Sequence, residues 1–417
     1  MNDLSDSPVF IAGHPKSGTS LLRSVLDSHP ELVAYPEETS FFRRYLPKAA
    51  GKSLLEKTVL SDRNLTHIFE WNQANPPAHQ AGFPDRDYSH IPVAKVRRAV
   101  NQLVSEQFRH DGDMLSAVIL AYGQVTGQLT PATQRWVEKT PYNEHHAAQI
   151  FAWWPAALMV HTVRDPRDNF ASYRRKHSNW SPEAFAMSWA RSTQAGLDNL
   201  ARYGADRYWL LRYEDLVVAP GARLRQLCKF LHISDDPSLR RPARGGKPWA
   251  GNSMFEDQFA TISAAPVGRW METLSLEDVA ALEIVAGPWM RRMGYTLSGH
   301  VISLAKPARQ HRQYRIRLIG RLLALTLEAK FPQEQAILRT AIAILADPSR
   351  IETPVLGRSS TALTDIEIPP IATGKERSDV LPGKPAYGGG LHRRRLFVAM
   401  QNIAKLFILL FKEIFRK

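Results

Sequence analysis

Between Gly13 and Ser20 the chain reads G-H-P-K-S-G-T-S, so one turn holds the ammonium of Lys16, the hydroxyls of Ser17, Thr19 and Ser20, and the glycines Gly13 and Gly18. A turn of this kind, entered from an apolar run and left through a helix, aims backbone N–H groups and a helix N-terminus at an anion. Two carboxylates, Glu37 and Glu38, follow in P-E-E-T. A second anion-binding set lies far along the chain. Arg164 opens R-D-P-R-D, and Ser172 follows two helical turns later. Arginine offers a bidentate fork and serine a short hydroxyl donor. With the first loop on the same sheet rim, two separate anion sites are the better reading than a solvated, salt-bridged helix start.

The elements needed to position these groups are legible. Val9–Ala12 is a short apolar run of the kind that makes a buried parallel strand, and Leu21, Leu22, Val25 and Leu26 recur at helical spacing. The intervening loop keeps the glycine spacing and final hydroxyl of G-x-x-x-x-G-K-[ST], but Thr19 stands where that motif has its lysine, and the cation has moved back to Lys16. Such a loop still wraps phosphate and is a poor ATPase loop. Further strands are expected at Leu32–Ala34, Arg135–Lys139, Ala157–Val163 and Arg207–Leu211, alternating with helices that include 93–108, 140–153, 169–176, 182–203, 224–231 and 276–293. This alternation argues an α/β fold, a P-loop-like central parallel sheet flanked by helices, with a helical C-terminal extension. In such sheets ligands sit outside the carboxyl ends of the strands, which puts Lys16 and the Glu37–Glu38 pair on one rim. Residues 75–87 and 237–259 are expected to be loop.

Net charge is +14, from 54 Lys and Arg against 40 Asp and Glu, which suits anionic partners. The lone cysteine, Cys228, excludes an intrachain disulfide and lies on an amphipathic helix, where it reads as core. No signal peptide and no transmembrane run is expected. The organisation expected is a catalytic domain over 1–300, a helical extension over 301–346, a Pro- and Gly-rich linker over 347–390, and a basic amphipathic helix over 391–417. On that last helix Arg394, Gln401, Lys405, Lys412 and Arg416 share one face, and Leu396, Met400, Ile403, Phe407, Leu410 and Ile414 lie opposite. It suits either an anionic membrane surface or docking on another helix or subunit. His14 lies inside the loop, where it either touches nucleotide or acceptor or fills the loop; the adjacent His145 and His146 point different ways on a helix and make a poor metal pair; Trp153, Trp154 and Trp189 read as core.

Pro15–Leu22 and the Arg164…Ser172 element together resemble the sulfotransferases that use 3′-phosphoadenosine 5′-phosphosulfate. Their donor loop is P-[KR]-S-G-T-[ST]-x-L, and their 3′-phosphate element is a strand ending in R-D-P-R-D with a serine eight residues after the first arginine. Tyr213-Glu214-Asp215-Leu216 and Gly268-Arg269-Trp270 continue the resemblance, which spans about residues 8 to 297. L-D-S-H-P at Leu26–Pro30, followed by Glu37-Glu38-Thr39, is similar to the branch holding tyrosylprotein sulfotransferases and many bacterial enzymes.

The resemblance implies Glu38 as general base and Lys16 and Lys139 as the cations at the reacting centre. It implies nucleotide contacts from Lys16, Ser17, Gly18, Thr19, Ser20, Arg164, Ser172, Tyr213 and Arg269. The other branch of the family uses a histidine base in K-x-H; here Lys139-Thr140-Pro141 puts proline in its place. The implied co-substrate is 3′-phosphoadenosine 5′-phosphosulfate with no metal. The implied acceptor is a hydroxyl or amine on a glycan, lipid, peptide or small molecule. Nucleic acid is not an expected partner, and the expected setting is cytoplasmic, peripheral at the inner membrane face. A small-molecule kinase or NTPase and a membrane-tethered nucleotide-binding module stand as alternatives.

Overall fold

The computed structural model describes residues 4–76, 86–251, 261–299, 311–351 and 389–414, the last from 396 for its side chains. The expected linker lies almost wholly outside the described residues, as do 77–85 of the first expected loop, 252–259 of the second, and Arg416.

The chain forms two units, one of residues Met1–Lys176 and Ala195–Arg269, the other of His177–Gln194 and Trp270–Lys417. The first is built on a five-stranded sheet in the order β2-β3-β1-β4-β5. Its strands are β1 Pro8–Gly13, β2 Leu32–Ala34, β3 Arg135–Lys139, β4 Leu158–Val163 and β5 Tyr208–Arg212. Every pairing is parallel. β1 is central and wholly buried, which explains a run with no polar alternation. Because the strands are parallel, their carboxyl ends open on one edge. β1 reaches that edge at Gly13, opposite Thr162, and β4 brings Val163 opposite Arg212.

The helices of this unit are α1 Thr19–Leu26, α2 Leu46–Ala49, α3 Leu54–Asn64, α4 Val93–Glu106, α5 Gly112–Thr126, α6 Ala147–Trp153 and α7 Pro166–Arg174; α8 Pro182–Tyr203 ends in it, and α9 Tyr213–Val218 and α10 Pro220–Leu231 complete it. Leu21, Leu22, Val25 and Leu26 of α1 pack with Val9, Ile11 and Val160 of the sheet and with Leu227 and Cys228 of α10. Cys228 is core, and burial pushes its thiol up to about 11. Trp154 and Trp189 are buried as expected.

Two expectations give way. The helix expected from residue 140 starts instead at Ala147, behind a short 3-10 turn at Asn143–His146. Tyr142 takes φ 72°, and its N–H donates to Gly13 O at 3.1 Å, which ties this corner to the end of β1. The expected loop at 237–259 contains a small hairpin, β6 Ala243–Arg244 with β7 Lys247–Pro248. Asp27 holds it, accepting from the N–H of Gly245 at 3.1 Å and Gly246 at 2.9 Å. The buried Arg23, 2.7 Å from Asp27, keeps that carboxylate paired.

The second unit is helical: the start of α8, then α11 Trp270–Thr273, α12 Leu276–Arg292, α13 Arg312–Glu328, α14 Pro332–Ala346 and α15 Gly389–Ile414. Ser275 caps α12 by accepting from Asp278 N at 3.1 Å. α15 packs on α13 and α14 through Asn402, Leu406 and Glu413, all buried. Of the six apolar residues expected to define its working face, Ile403 and Leu410 are half-buried and the other four do not dock. Leu396, Met400, Phe407 and Ile414 are all exposed.

Candidate active site

The turn after β1 has the backbone that its sequence demands. Gly13 (φ 132°) and Gly18 (φ 98°) adopt conformations that side chains resist. A Cβ at Gly13 would stand 2.3 Å from Thr162 O, and one at Gly18 would stand 2.4 Å from the Tyr213 ring. The loop closes on itself through Ser17 N to His14 O at 3.1 Å. It is fastened to β4 by Ser17 Oγ and Thr162 Oγ1, 2.9 Å apart. Glu144 accepts from Gly13 N at 3.0 Å. No side chain caps the N-terminus of α1, so its first-turn N–H groups face the loop. His14 is filler: buried, bonded to Pro15 O, and packed against Tyr142 and Tyr173.

Lys16, also at positive φ (67°), lies in a cation-rich place. Burial first, then Lys176 and Lys139, bring its ammonium down from 10.5 to about 8, against a smaller upward pull from Glu38. An anion there would relieve that repulsion, so the loop fits a phosphate or sulfate group.

Lys139, the last residue of β3, is buried and donates from Nζ to Glu38 Oε1 at 2.7 Å and to Ser20 Oγ at 3.3 Å. Burial alone would raise the Glu38 carboxyl. The charge and hydrogen bond of Lys139, with Arg43 and Arg86 beyond, bring it below the ordinary carboxylate value. Glu38 is therefore ionised at neutral pH, and 42% of its side chain stays open to solvent.

The residue before Lys139 does complementary work from the opposite face of the strand. Glu138 is fully buried and accepts from Thr39 Oγ1 at 2.7 Å, Thr140 Oγ1 at 2.6 Å and Asn143 Nδ2 at 2.6 Å. Burial raises its carboxyl, partly offset by these bonds. Thus Glu138 pins Thr39 while Lys139 takes Glu38. Glu37 turns away from this pair. It accepts from Tyr88 OH at 2.8 Å, with Arg86 at 3.1 Å and Arg244 at 3.8 Å.

On the other side of the loop, Arg164 leaves the end of β4. Its guanidinium lies 4.7 Å from the centre of the Tyr213 ring and donates to Lys16 O at 3.3 Å and Pro266 O at 3.1 Å. Asp165 caps α7, accepting from Arg167 N at 2.9 Å, with Pro166 at the first position. Ser172 is buried on the same helix. Asp168 Oδ2 accepts from Gly268 N at 2.7 Å, which brings the segment carrying Arg269 to α7.

The structure thus gathers Lys16, Ser17, Gly18, Ser20, Glu38 and Lys139 on one side, and brings Arg164 and Tyr213 to the same loop. Glu138, Thr162, Glu144, Arg43, Arg86 and Tyr88 support the site and had no motif to announce them. Only the Glu138-Lys139 alternation at a strand end carried a signal. Among the described residues no group of three His, Cys, Asp or Glu side chains is arranged to hold a metal ion.

Residues 8–237 match the Sulfotransferase family profile. A Caenorhabditis elegans relative named protein-tyrosine sulfotransferase A is 23% identical over 365 residues, covering 85% of this chain and 81% of that protein. The Gallus gallus protein-tyrosine sulfotransferase 2 is 24% identical over 305 residues, 69% of each chain. The solved sulfotransferase domain from the curacin biosynthetic pathway aligns with TM-score 0.45 and 20% identity, covering 70% of this chain and 98% of that one.

Proposed function

This chain belongs to the sulfotransferase family and is a sulfotransferase, and we propose that its donor is 3′-phosphoadenosine 5′-phosphosulfate, its acceptor a hydroxyl or amine, and its base Glu38. The family match decides against the kinase and NTPase alternative. The observation that carries the reading is Lys139, which touches both Glu38 and Ser20 of the anion loop.

The donor supplies an activated sulfuryl group on a phosphate that leaves with the bonding electron pair. Lys16 and the first-turn N–H groups of α1, with Ser17, Gly18, Thr19 and Ser20, hold the 5′ side. Arg164 and Ser172 hold the 3′-phosphate, bordered by Tyr213 and Arg269. Lys139 has three ammonium hydrogens and uses two in the contacts described, leaving one for the transferring group. Glu38, ionised and partly open, takes the acceptor proton as the acceptor oxygen or nitrogen bonds to sulfur. A positioned base of this kind contributes about 10²–10⁴-fold. The cations stabilise charge growing on the leaving oxygen, and in this reading no metal is required.

The acceptor group is borne by a glycan, lipid, peptide or small molecule, and the setting is cytoplasmic. A peptide tyrosine is the reading favoured by one observation. The relatives are named for that acceptor.

The test is transfer of a labelled sulfuryl group to an acceptor library, read by mass shift, with wild type and Glu38→Ala. Glu38→Ala is expected to lose about 10²-fold or more in kcat while binding adenosine 3′,5′-bisphosphate as wild type does. Full-rate transfer by Glu38→Ala overturns the base assignment, and wild type that transfers only from another donor overturns the choice of donor.

A further inference from the structure

α15 is docked through a mixed face of Asn402, Leu406 and Glu413, with Ile403, Leu409 and Leu410 half-buried beside them, and leaves a separate apolar stripe uncovered. Arg315 Nε donates to Glu413 Oε1 at 2.6 Å, both side chains buried. Asn402, also buried, donates to Gln335 at 3.4 Å, and Leu406 is fully buried between them. On the far side Leu396, Phe397, Met400, Phe407, Ile408, Phe411 and Ile414 are each 43–63% exposed. These lie at i, i+3, i+4, i+7 and i+11 spacings and make one continuous stripe along the helix. Surface aromatics scattered singly need no explanation, but a contiguous apolar stripe marks an interaction surface. The buried ion pair fixes the stripe outward, because rotating the helix to hide it would carry Glu413 out to solvent and away from the buried Arg315.

Charge selects the occupant. Lys405 and Lys412 are exposed and border the stripe on the Ile408 side. From 389 to 417 the sequence has seven Lys and Arg and one acid, Glu413, which is already consumed by Arg315. A second copy of the helix laid on the stripe would meet lysines with lysines and supply no free carboxylate. The chain's own 352–388 stretch has one aromatic, Tyr387, and five prolines, a composition poorly suited to a helix that would cover the stripe. No described helix is long and apolar enough to cross a membrane. We propose that α15 is a peripheral anchor that lies on an anionic lipid bilayer, with Phe397, Met400, Phe407, Ile408 and Phe411 among the acyl chains and Lys405 and Lys412 at the headgroups.

The test is co-sedimentation of the full chain with phosphatidylcholine vesicles, with and without phosphatidylglycerol, beside analytical ultracentrifugation. Binding of adenosine 3′,5′-bisphosphate serves as the fold control. Wild type is expected to bind the anionic vesicles about tenfold more tightly than the neutral ones. Lys405→Glu/Lys412→Glu abolishes that preference, and Phe407→Ser/Phe411→Ser abolishes binding to both. Anionic vesicles bound equally by all three proteins, or by none, overturn the proposal. So does a wild-type dimer that Phe407→Ser/Phe411→Ser dissolves without vesicle binding, which assigns the stripe to a second copy. Vesicle binding seen only after 352–388 is replaced by a Gly-Ser linker also overturns it, because that segment is then the occupant.

Discussion

The ammonium of Lys139 stands 2.7 Å from Glu38 Oε1 and 3.3 Å from Ser20 Oγ, so one strand-end cation joins the carboxylate of the P-E-E-T segment to the anion loop. That contact sets the charge state of Glu38 as well as its position. Lys139→Met removes the principal downward influence and leaves burial to push the carboxyl up. Glu38 then binds its proton at higher pH, and the acid limb of the kcat/KM profile moves up with it. A kcat loss of about 10²–10³-fold accompanies the shift, as for removal of one preorganised donor. A pH–rate profile of Lys139→Met with an unmoved acid limb would separate Glu38 from the base role.

Lys16 gives an opposite pH signature. Its ammonium titrates near 8 in the free protein. Below that pH it is charged and adds no further pH dependence of its own. Above it the cation is lost, so affinity for adenosine 3′,5′-bisphosphate falls by up to about tenfold per pH unit, the limit for one proton. Lys16→Met binds weakly at every pH and shows no such fall. Calorimetric titration from pH 6 to 10 measures both.

The two anion sites are separable by ligand. Arg164→Lys keeps the charge and loses the planar fork. It is expected to weaken adenosine 3′,5′-bisphosphate about 10–100-fold, the value of a hydrogen bond to a charged group, and adenosine 5′-phosphate far less. Equal losses for both ligands would move the 3′-phosphate away from Arg164.

Gly18 is held on two counts, positive φ and the Tyr213 ring. Gly18→Ala is expected to cost about 1–3 kcal/mol of stability, the range for a strained backbone position. In a Tyr213→Ala background the clash is gone and the φ strain is not, so thermal unfolding across the double-mutant cycle shows Gly18→Ala costing less there than in wild type.

The readings that came straight from sequence are those whose physics is local. The anion turn was legible because Gly13 and Gly18 mark backbone conformations and Val9–Ala12 marks a strand buried on both faces. Arg164 was legible because it follows an apolar strand, and parallel strands present such residues at one edge; Lys139 and Tyr213 came from the family resemblance alone. Local periodicity also gave most of the long helices, though not the short α2, α9 and α11, nor α3, nor the turn at Asn143–His146, where the Tyr142 N–H bonds to Gly13 O. The tertiary structure decided what depends on residues far apart in the chain. It paired Glu38 with Lys139, 101 positions away. It gave Glu37 to Tyr88, Arg86 and Arg244, and set Glu138 under Thr39. It also chose the docking face of α15, which periodicity could not, because one buried Arg315–Glu413 pair outweighs an apolar stripe in fixing how that helix is turned.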